Sequence, residues 1–228
     1  MTSAIIVAAG QGTRMGPGVD KLFLEVAGRP IVSHTWERFD RASCIDEIVL
    51  VVRQGMEGVF HDLAREWRFR KPYRLAVGGK ERQDSVWNGL EAVSRASGVV
   101  AVQDGARPCA TEELIAATIA AAVQTGAAVA AQRVTDTIKE SDGGDLVARH
   151  LDRTRLWAVQ TPQTFQTEIL RRALTEVRRR EVLVTDDTAA CELIGQSVRL
   201  VESTAPNPKA TTRNDLPYIE WCLGRART

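Results

Sequence analysis

The sequence predicts an α/β fold: a mostly parallel, twisted sheet flanked by helices, with a β-hairpin arm inserted late in the chain. Three observations carry that reading. Strand-like apolar runs recur at 4–9, 47–52, 73–77, 99–103 and 127–134, separated by stretches of helical periodicity, and such alternation buries a parallel sheet between helical layers. Helix boundaries are legible between the runs. At Thr135 the pattern breaks, where DTIKES and LVARHL flank SDGGD, the signature of two antiparallel strands around a tight turn.

Taken in order, the first apolar run leads into AAGQGTRMG, and no early helix fits behind it because Pro17 and Gly18 break helix. Pro30 sits where a first helical turn tolerates it, with Ile31, Val32, Trp36 and Phe39 behind it. Thr111 caps a run whose Leu114, Ile115 and Ile119 share a face. After the hairpin come a short apolar run at 156–159, then Thr161-Pro162, helices near 167–180 and 186–194, a strand at 198–201 and a final helix after Asn214. With no repeat, low-complexity tract or linker, residues 1–228 read as a single domain and 135–155 as its arm. A two-stranded arm is marginal alone, so it must pack on the body or on another subunit.

Composition excludes several classes. The chain has 228 residues, 44% hydrophobic and 26% charged, with a net charge of +1, which gives no long-range reason to expect nucleic acid or an acidic membrane surface. Cys44, Cys109, Cys191 and Cys222 form no CxxC pair, so neither a zinc knuckle nor a disulfide framework is suggested and a reducing cytoplasm fits best. No apolar run is long enough to span a bilayer, and no secretory leader is visible. His34 and His61 fall in expected helices and His150 in the hairpin, without metal-ligand or triad spacing. The arginines from Arg171 to Arg180 alternate with Glu168, Glu176 and Glu181 and read as a solvated helix face.

The loop at 8–16, with Lys21 beyond it, is the most informative segment. Gly10, Gly12 and Gly16 let backbone N–H groups approach an anion, while Arg14 and Lys21 bring two cations to the same place. That suits a nucleoside triphosphate. A dinucleotide fingerprint fits poorly, since no helix opens at the third glycine and the strand ending at Val52 is followed by Arg53 and Gln54, where an acidic residue is required. No Walker loop is present, because Gly79-Lys80 is followed by Glu81. A plain surface turn with two solvated cations is the duller alternative.

Ligands of open parallel sheets bind at the carboxyl ends of the strands, and three further loops there carry unusual chemistry. GGKERQDSV brings Gly78, Gly79, Lys80 and Ser85; QDGARPC brings Asp104 and Arg107; NPKATTR brings Lys209. Taken singly, each has a structural explanation: a turn with a helix cap, a surface ion pair, a loop charge. Their joint placement on one sheet edge favours function.

AAGQGTRMG with Lys21, GGKERQDSVWNGL, DGARPC, DTIKES, LDRTRLWAVQTPQTF, TDDTAACE and NPKATT resemble, in order and over nearly the whole chain, the 2-C-methyl-D-erythritol 4-phosphate cytidylyltransferases of the non-mevalonate isoprenoid pathway. The resemblance implies a Rossmann-like nucleotidyltransferase domain whose β-arm exchanges between the subunits of a homodimer. It implies that Arg14 and Lys21 act on the triphosphate and the reacting phosphorus, and that Ala8, Ala9, Gly79, Lys80 and Ser85 surround the cytosine and ribose. Asp104, Arg107, Thr137, Thr161 and Lys209 match the sugar-phosphate site, and Arg153 the arginine donated by the partner subunit. Leu22, Asp20, Gln103 and Gly105 depart from the commoner pattern, which affects local loop geometry and no proposed charge.

The implied substrates are CTP and a sugar-alcohol phosphate, with Mg²⁺ bridging the CTP phosphates and no metal site made of side chains. The acceptor's phosphate oxygen attacks the α-phosphorus in line, and no general base is required because a phosphate monoester is already largely ionised at neutral pH. Two other readings share the fold: a ribitol 5-phosphate cytidylyltransferase and a non-catalytic nucleotide-binding protein.

Overall fold

The computed structural model describes residues 1–10 and 20–225. Gly12 and Arg14 lie outside them. Seven strands form the central sheet: β1 (Thr2–Ala8), β4 (Glu47–Val52), β5 (Tyr73–Val77), β6 (Val99–Asp104), β7 (Ala127–Arg133), β10 (Trp157–Gln166) and β11 (Arg199–Glu202). Their order is β11-β7-β10-β6-β1-β4-β5. β1 pairs in parallel with β4 on one side and β6 on the other, so successive crossovers leave it in opposite directions. A crevice opens at the carboxyl ends where they diverge.

The runs expected as strands all fold as strands, with bounds moved by at most a few residues. β1 alternates its side chains between two cores. Ala4, Ile6 and Ala8 face one that is filled by Ile31, Trp36 and Phe39 of α1 (Ile31–Arg41), Phe60 and Leu63 of α2 (Glu57–Trp67), and Ile219 and Leu223 of α7 (Leu216–Arg225). Ile5 faces the other, with Val86 and Leu90 of α3 (Arg82–Ala92), Leu170, Leu174 and Val177 of α5 (Thr167–Arg180), and Ala190 and Cys191 of α6 (Asp187–Glu192). Thr111 caps α4 (Glu112–Thr125), accepting from the Leu114 N–H at 3.2 Å as its sequence position suggested. Pro30 is the N-cap residue of α1, and a two-residue ribbon, β2 (Glu25–Val26) with β3 (Arg29–Pro30), precedes it.

One expectation needs correcting. The short run at 156–159 extends into a ten-residue strand, β10, antiparallel between β6 and β7. Thr161-Pro162 disguised it, since proline in a central strand removes a ladder donor. The register with β7 shifts between Val159 and Gln163, so the proline sits in an irregularity and costs no regular pairing.

The arm folds as β8 (Lys139–Ser141) and β9 (Val147–His150), a separate two-stranded sheet. Every residue from 139 to 150 is exposed, Leu146 by 73%. The protomer supplies no core for it.

Candidate active site

Two cavities open at the carboxyl edge of the sheet and share a wall. The larger, about 470 Å³, is bounded by the end of β1 (Ala9, Gly10), by Lys21, by the β5–α3 loop (Gly79, Lys80) with Ser85, and by Gly105. The smaller, about 210 Å³, is bounded by Arg107, by Gln160, Thr161 and Gln163 of β10, and by Asp186. Arg82, Asp104 and Lys209 line both. A ligand in one cavity therefore meets a ligand in the other across these three side chains.

Each side chain is placed by its element. Asp104 ends β6, and its N–H donates to Thr161 Oγ1 at 3.1 Å, tying it to β10. Lys209 Nζ lies 2.6 Å from Asp104 Oδ2, Arg82 Nε 3.4 Å from Oδ1, and Arg107 Nε 3.8 Å from Oδ2. Burial opposes the Asp104 charge, but Arg82, Lys209 and Arg107 outweigh it and hold the carboxyl down to about 2. Burial also opposes the charge on Arg82, and Asp187, with Asp104, more than offsets it, raising that pKa. Arg107 donates to the Asn207 carbonyl at 2.7 Å, and Asn207 Nδ2 donates to the Thr161 carbonyl at 2.8 Å, which fixes the 207–210 segment over the seam. Lys21 Nζ reaches the Ala210 carbonyl at 3.1 Å.

The nucleotide-side loop is tight. A Cβ on Gly78 would stand 2.3 Å from that of Ala9, so only glycine lets the β5–α3 loop lie against the end of β1. Ser85, buried, accepts from the Gly79 N–H at 3.1 Å and donates to the Glu81 carbonyl at 3.2 Å. The helix cap is Glu81 in a reciprocal box with Asp84, so of the two side chains that could serve the helix start, Asp84 and Ser85, Asp84 takes part in the cap and Ser85 is left to the loop. The departures named above have local explanations. Asp20 accepts from the Leu22 N–H and pairs with Arg53, Leu22 is buried, and the Gln103 amide donates to the Arg107 carbonyl. A Cβ on Gly105 would press on the Val7 carbonyl at 3.0 Å, so this chain has little room for a side chain there.

Of the residues singled out from sequence, Ala9, Gly10, Lys21, Gly79, Lys80, Ser85, Asp104 and Lys209 line the larger cavity, and Asp104, Arg107, Thr161 and Lys209 the smaller. Ala8 is buried in β1 behind the wall. Thr137 and Arg153 are exposed at the base of the arm and line neither cavity of their own protomer; Arg153 donates to the Thr135 carbonyl. Arg82 and Asp187 were not picked out, although they lie inside the quoted GGKERQDSV and TDDTAACE stretches. Nothing in their spacing says that residues 105 positions apart meet at 2.8 Å.

Two adjoining cavities joined by cations around one carboxylate, at the carboxyl edge of an α/β sheet, are the kind of site a nucleotidyltransferase carries. A family model described as 2-C-methyl-D-erythritol 4-phosphate cytidylyltransferase matches residues 2–225, and the chain belongs to that family. Relatives of that name from Alkaliphilus oremlandii and Geobacillus thermodenitrificans are 40% and 43% identical over 227 and 220 residues, covering 99% and 96% of this chain and 96% of each relative. Among solved structures, the 4-diphosphocytidyl-2C-methyl-D-erythritol synthase of Anaerococcus prevotii superposes with a TM-score of 0.87 at 33% identity, covering 98% of this chain and 96% of that one. The cytidylyltransferase of Thermus thermophilus gives 0.79 at 32%, with full coverage of both chains.

Proposed function

We propose that this protein transfers the cytidylyl group of CTP to 2-C-methyl-D-erythritol 4-phosphate, giving 4-diphosphocytidyl-2-C-methyl-D-erythritol and pyrophosphate in isoprenoid biosynthesis. The observation that carries the reading is the shared seam. Arg82, Asp104 and Lys209 bound a nucleotide-sized cavity and an acceptor-sized one at once, so the two phosphates would meet at this cluster of charges.

In this mechanism CTP occupies the larger cavity, with its base against the Gly78–Ser85 loop, and the sugar phosphate occupies the smaller one. Thr161, Arg107 and Lys209 orient the acceptor, Lys21 faces the triphosphate, and Arg14 is assigned to the triphosphate by the family resemblance. Positioning and fixed positive charge do the catalytic work, since the attacking phosphate oxygen is already ionised. Among the described residues no cluster of three His, Cys, Asp or Glu side chains could hold a metal, and Asp104 is committed to cations. Asp104 is the carboxylate that lines both cavities and would be the side chain to face a Mg²⁺ brought with the triphosphate. When bound, the ion would share the negative charge that grows on the phosphates. A homodimer, in which Thr137 and Arg153 reach the neighbouring subunit's acceptor cavity, completes the site. No helix among the described residues is long and apolar enough to cross a membrane, and a cytoplasmic location suits substrates of this kind.

Pyrophosphate release is the test. The protein is incubated with CTP and Mg²⁺ and either 2-C-methyl-D-erythritol 4-phosphate or ribitol 5-phosphate. Release with the first acceptor and not the second is expected; release with ribitol 5-phosphate alone would reassign the acceptor cavity, and release with neither would remove the enzymatic reading.

A further inference from the structure

We propose that Asp187, a carboxylate that reaches neither cavity, is a positioning residue of this site: it aims the Arg82 guanidinium at the seam where the two substrates meet. This rests on the reaction assigned above. Asp187 is fully buried at the start of α6, and its Oδ2 receives Arg82 Nη1 at 2.8 Å. Arg82 Nε turns the other way, to Asp104 Oδ1 at 3.4 Å. The guanidinium thus spans two carboxylates, one behind the site and one in it, and is the side chain that connects them.

The ordinary structural duties of a buried aspartate at a helix start are discharged elsewhere. The cap of α6 is Asp186, whose Oδ1 accepts from the Ala189 N–H at 2.9 Å and the Thr188 hydroxyl at 2.8 Å. The Asp187 N–H is satisfied by Gln163 Oε1 at 3.1 Å, while the amide of the same Gln163 donates to Asp186 Oδ2 at 3.0 Å. Among the described residues, Asp187 Oδ1 has no hydrogen-bond donor. A carboxylate wholly removed from water, with one oxygen idle and no capping task, is a costly group to keep for the fold alone. What it gains is a fixed guanidinium: Arg fork geometry holds direction as well as charge. Gln163, through its bonds to both aspartates, ties this device to β10 beside Thr161, which already anchors Asp104. Without the Asp187 charge, Arg82 is left to Asp104, where it competes with Lys209 for the same carboxylate.

The test is steady-state kinetics of the full-length enzyme and of the Asp187→Asn, Arg82→Gln and double variants, with both substrates varied. Misplacing a positioning contact typically costs about ten- to a hundredfold. The expected result is a rise of about tenfold or more in KM for the sugar phosphate in Asp187→Asn, exceeding the change for CTP, and a double variant no worse than Arg82→Gln alone. A partly unfolded preparation lowers kcat but leaves KM alone, so a KM change separates aiming from stability. Wild-type KM in a folded Asp187→Asn enzyme, or losses that multiply in the double variant, overturns the proposal. Should Asp187→Asn not fold, Arg82→Lys carries the test, because an ammonium cannot fork between two carboxylates; wild-type KM there overturns it equally. A wild-type enzyme inactive with this acceptor refutes the assigned reaction instead.

Discussion

The seam of the site and the β-arm both carry residues assigned to the sugar phosphate, yet the protein builds them in opposite ways. At the seam, Asp104 lies between Arg82, Lys209 and Arg107, with strand β10 behind it and 12% of its side chain exposed. On the arm, residues 139–150 are all exposed, and ion pairs such as Glu140–Arg149 at 2.6 Å are open to solvent, where they contribute little. The seam is positioned by its own chain. Thr137 and Arg153 are exposed and reach neither cavity of their own protomer, with Arg153 held to the Thr135 carbonyl, and the composite, dimeric site proposed above would give them a ligand to meet.

The sharpest break in that comparison is in stability. Phe165 of β10 is fully buried, so Phe165→Ala is expected to destabilise the protein by about 3–5 kcal/mol. Leu146→Ala on the arm tip should change protomer stability by less than about 0.5 kcal/mol. Urea denaturation of both variants checks this, run at a concentration low enough to separate subunits. A large loss at Leu146 would mean that the arm folds on its own body.

Charge removal comes next. Lys21→Ala and Arg14→Ala are each expected to lower kcat by about 10²–10³ if, as proposed, both cations meet charge that grows in the transition state; kcat at wild-type level in either removes that role. Arg153→Ala should likewise be nearly inactive, but for a different reason. If Arg153 serves the partner's site, mixing Arg153→Ala chains with Lys21→Ala chains restores activity, since one site of each mixed dimer recovers both residues. Purified heterodimers that stay inactive would place Arg153 on its own subunit.

How much of this was legible in the sequence follows the same division. Strand β4 and helix α5 are readable to the residue because one is a continuous apolar run and the other keeps a helical apolar period throughout. β10 was cut short by Pro162, since the bulge that accommodates a proline leaves no pattern of its own. Asp104, Arg107 and Lys209 could be gathered onto one edge because each follows or faces a strand end. Arg82 and Asp187 were invisible for a physical reason: a buried ion pair across 105 positions is set by helix packing, here α3 against α5 and α6, and no local period encodes it.

The smallest expected effect concerns pH, and it separates the carboxylate of the seam from the one behind it. Asp104 has a folded pKa of about 2, below the roughly 3.9 of an unfolded aspartate. Its ionised form therefore stabilises the fold above pH ~4, by an amount on the order of 2 kcal/mol, and that contribution is lost as pH falls through about 2. Asp187 has the opposite sign: complete burial raises its pKa against the pull of Arg82, so its contribution is greatest where it is protonated and declines as pH rises through the folded value. The stability difference between wild type and Asp104→Asn, measured by urea denaturation, should be flat from pH ~5 to 8 and shrink only below ~4. Because Asp104 does not titrate in the working range, an acid limb in kcat/KM near pH ~6 belongs to the second ionisation of the substrate phosphate. The limb should stay in place when Lys209→Ala removes one of the Asp104 partners, because Arg82 and Arg107 still hold the carboxyl down. A limb that moves with that substitution would assign the titration to Asp104, and would mean that its three cations hold it far less firmly than their distances imply.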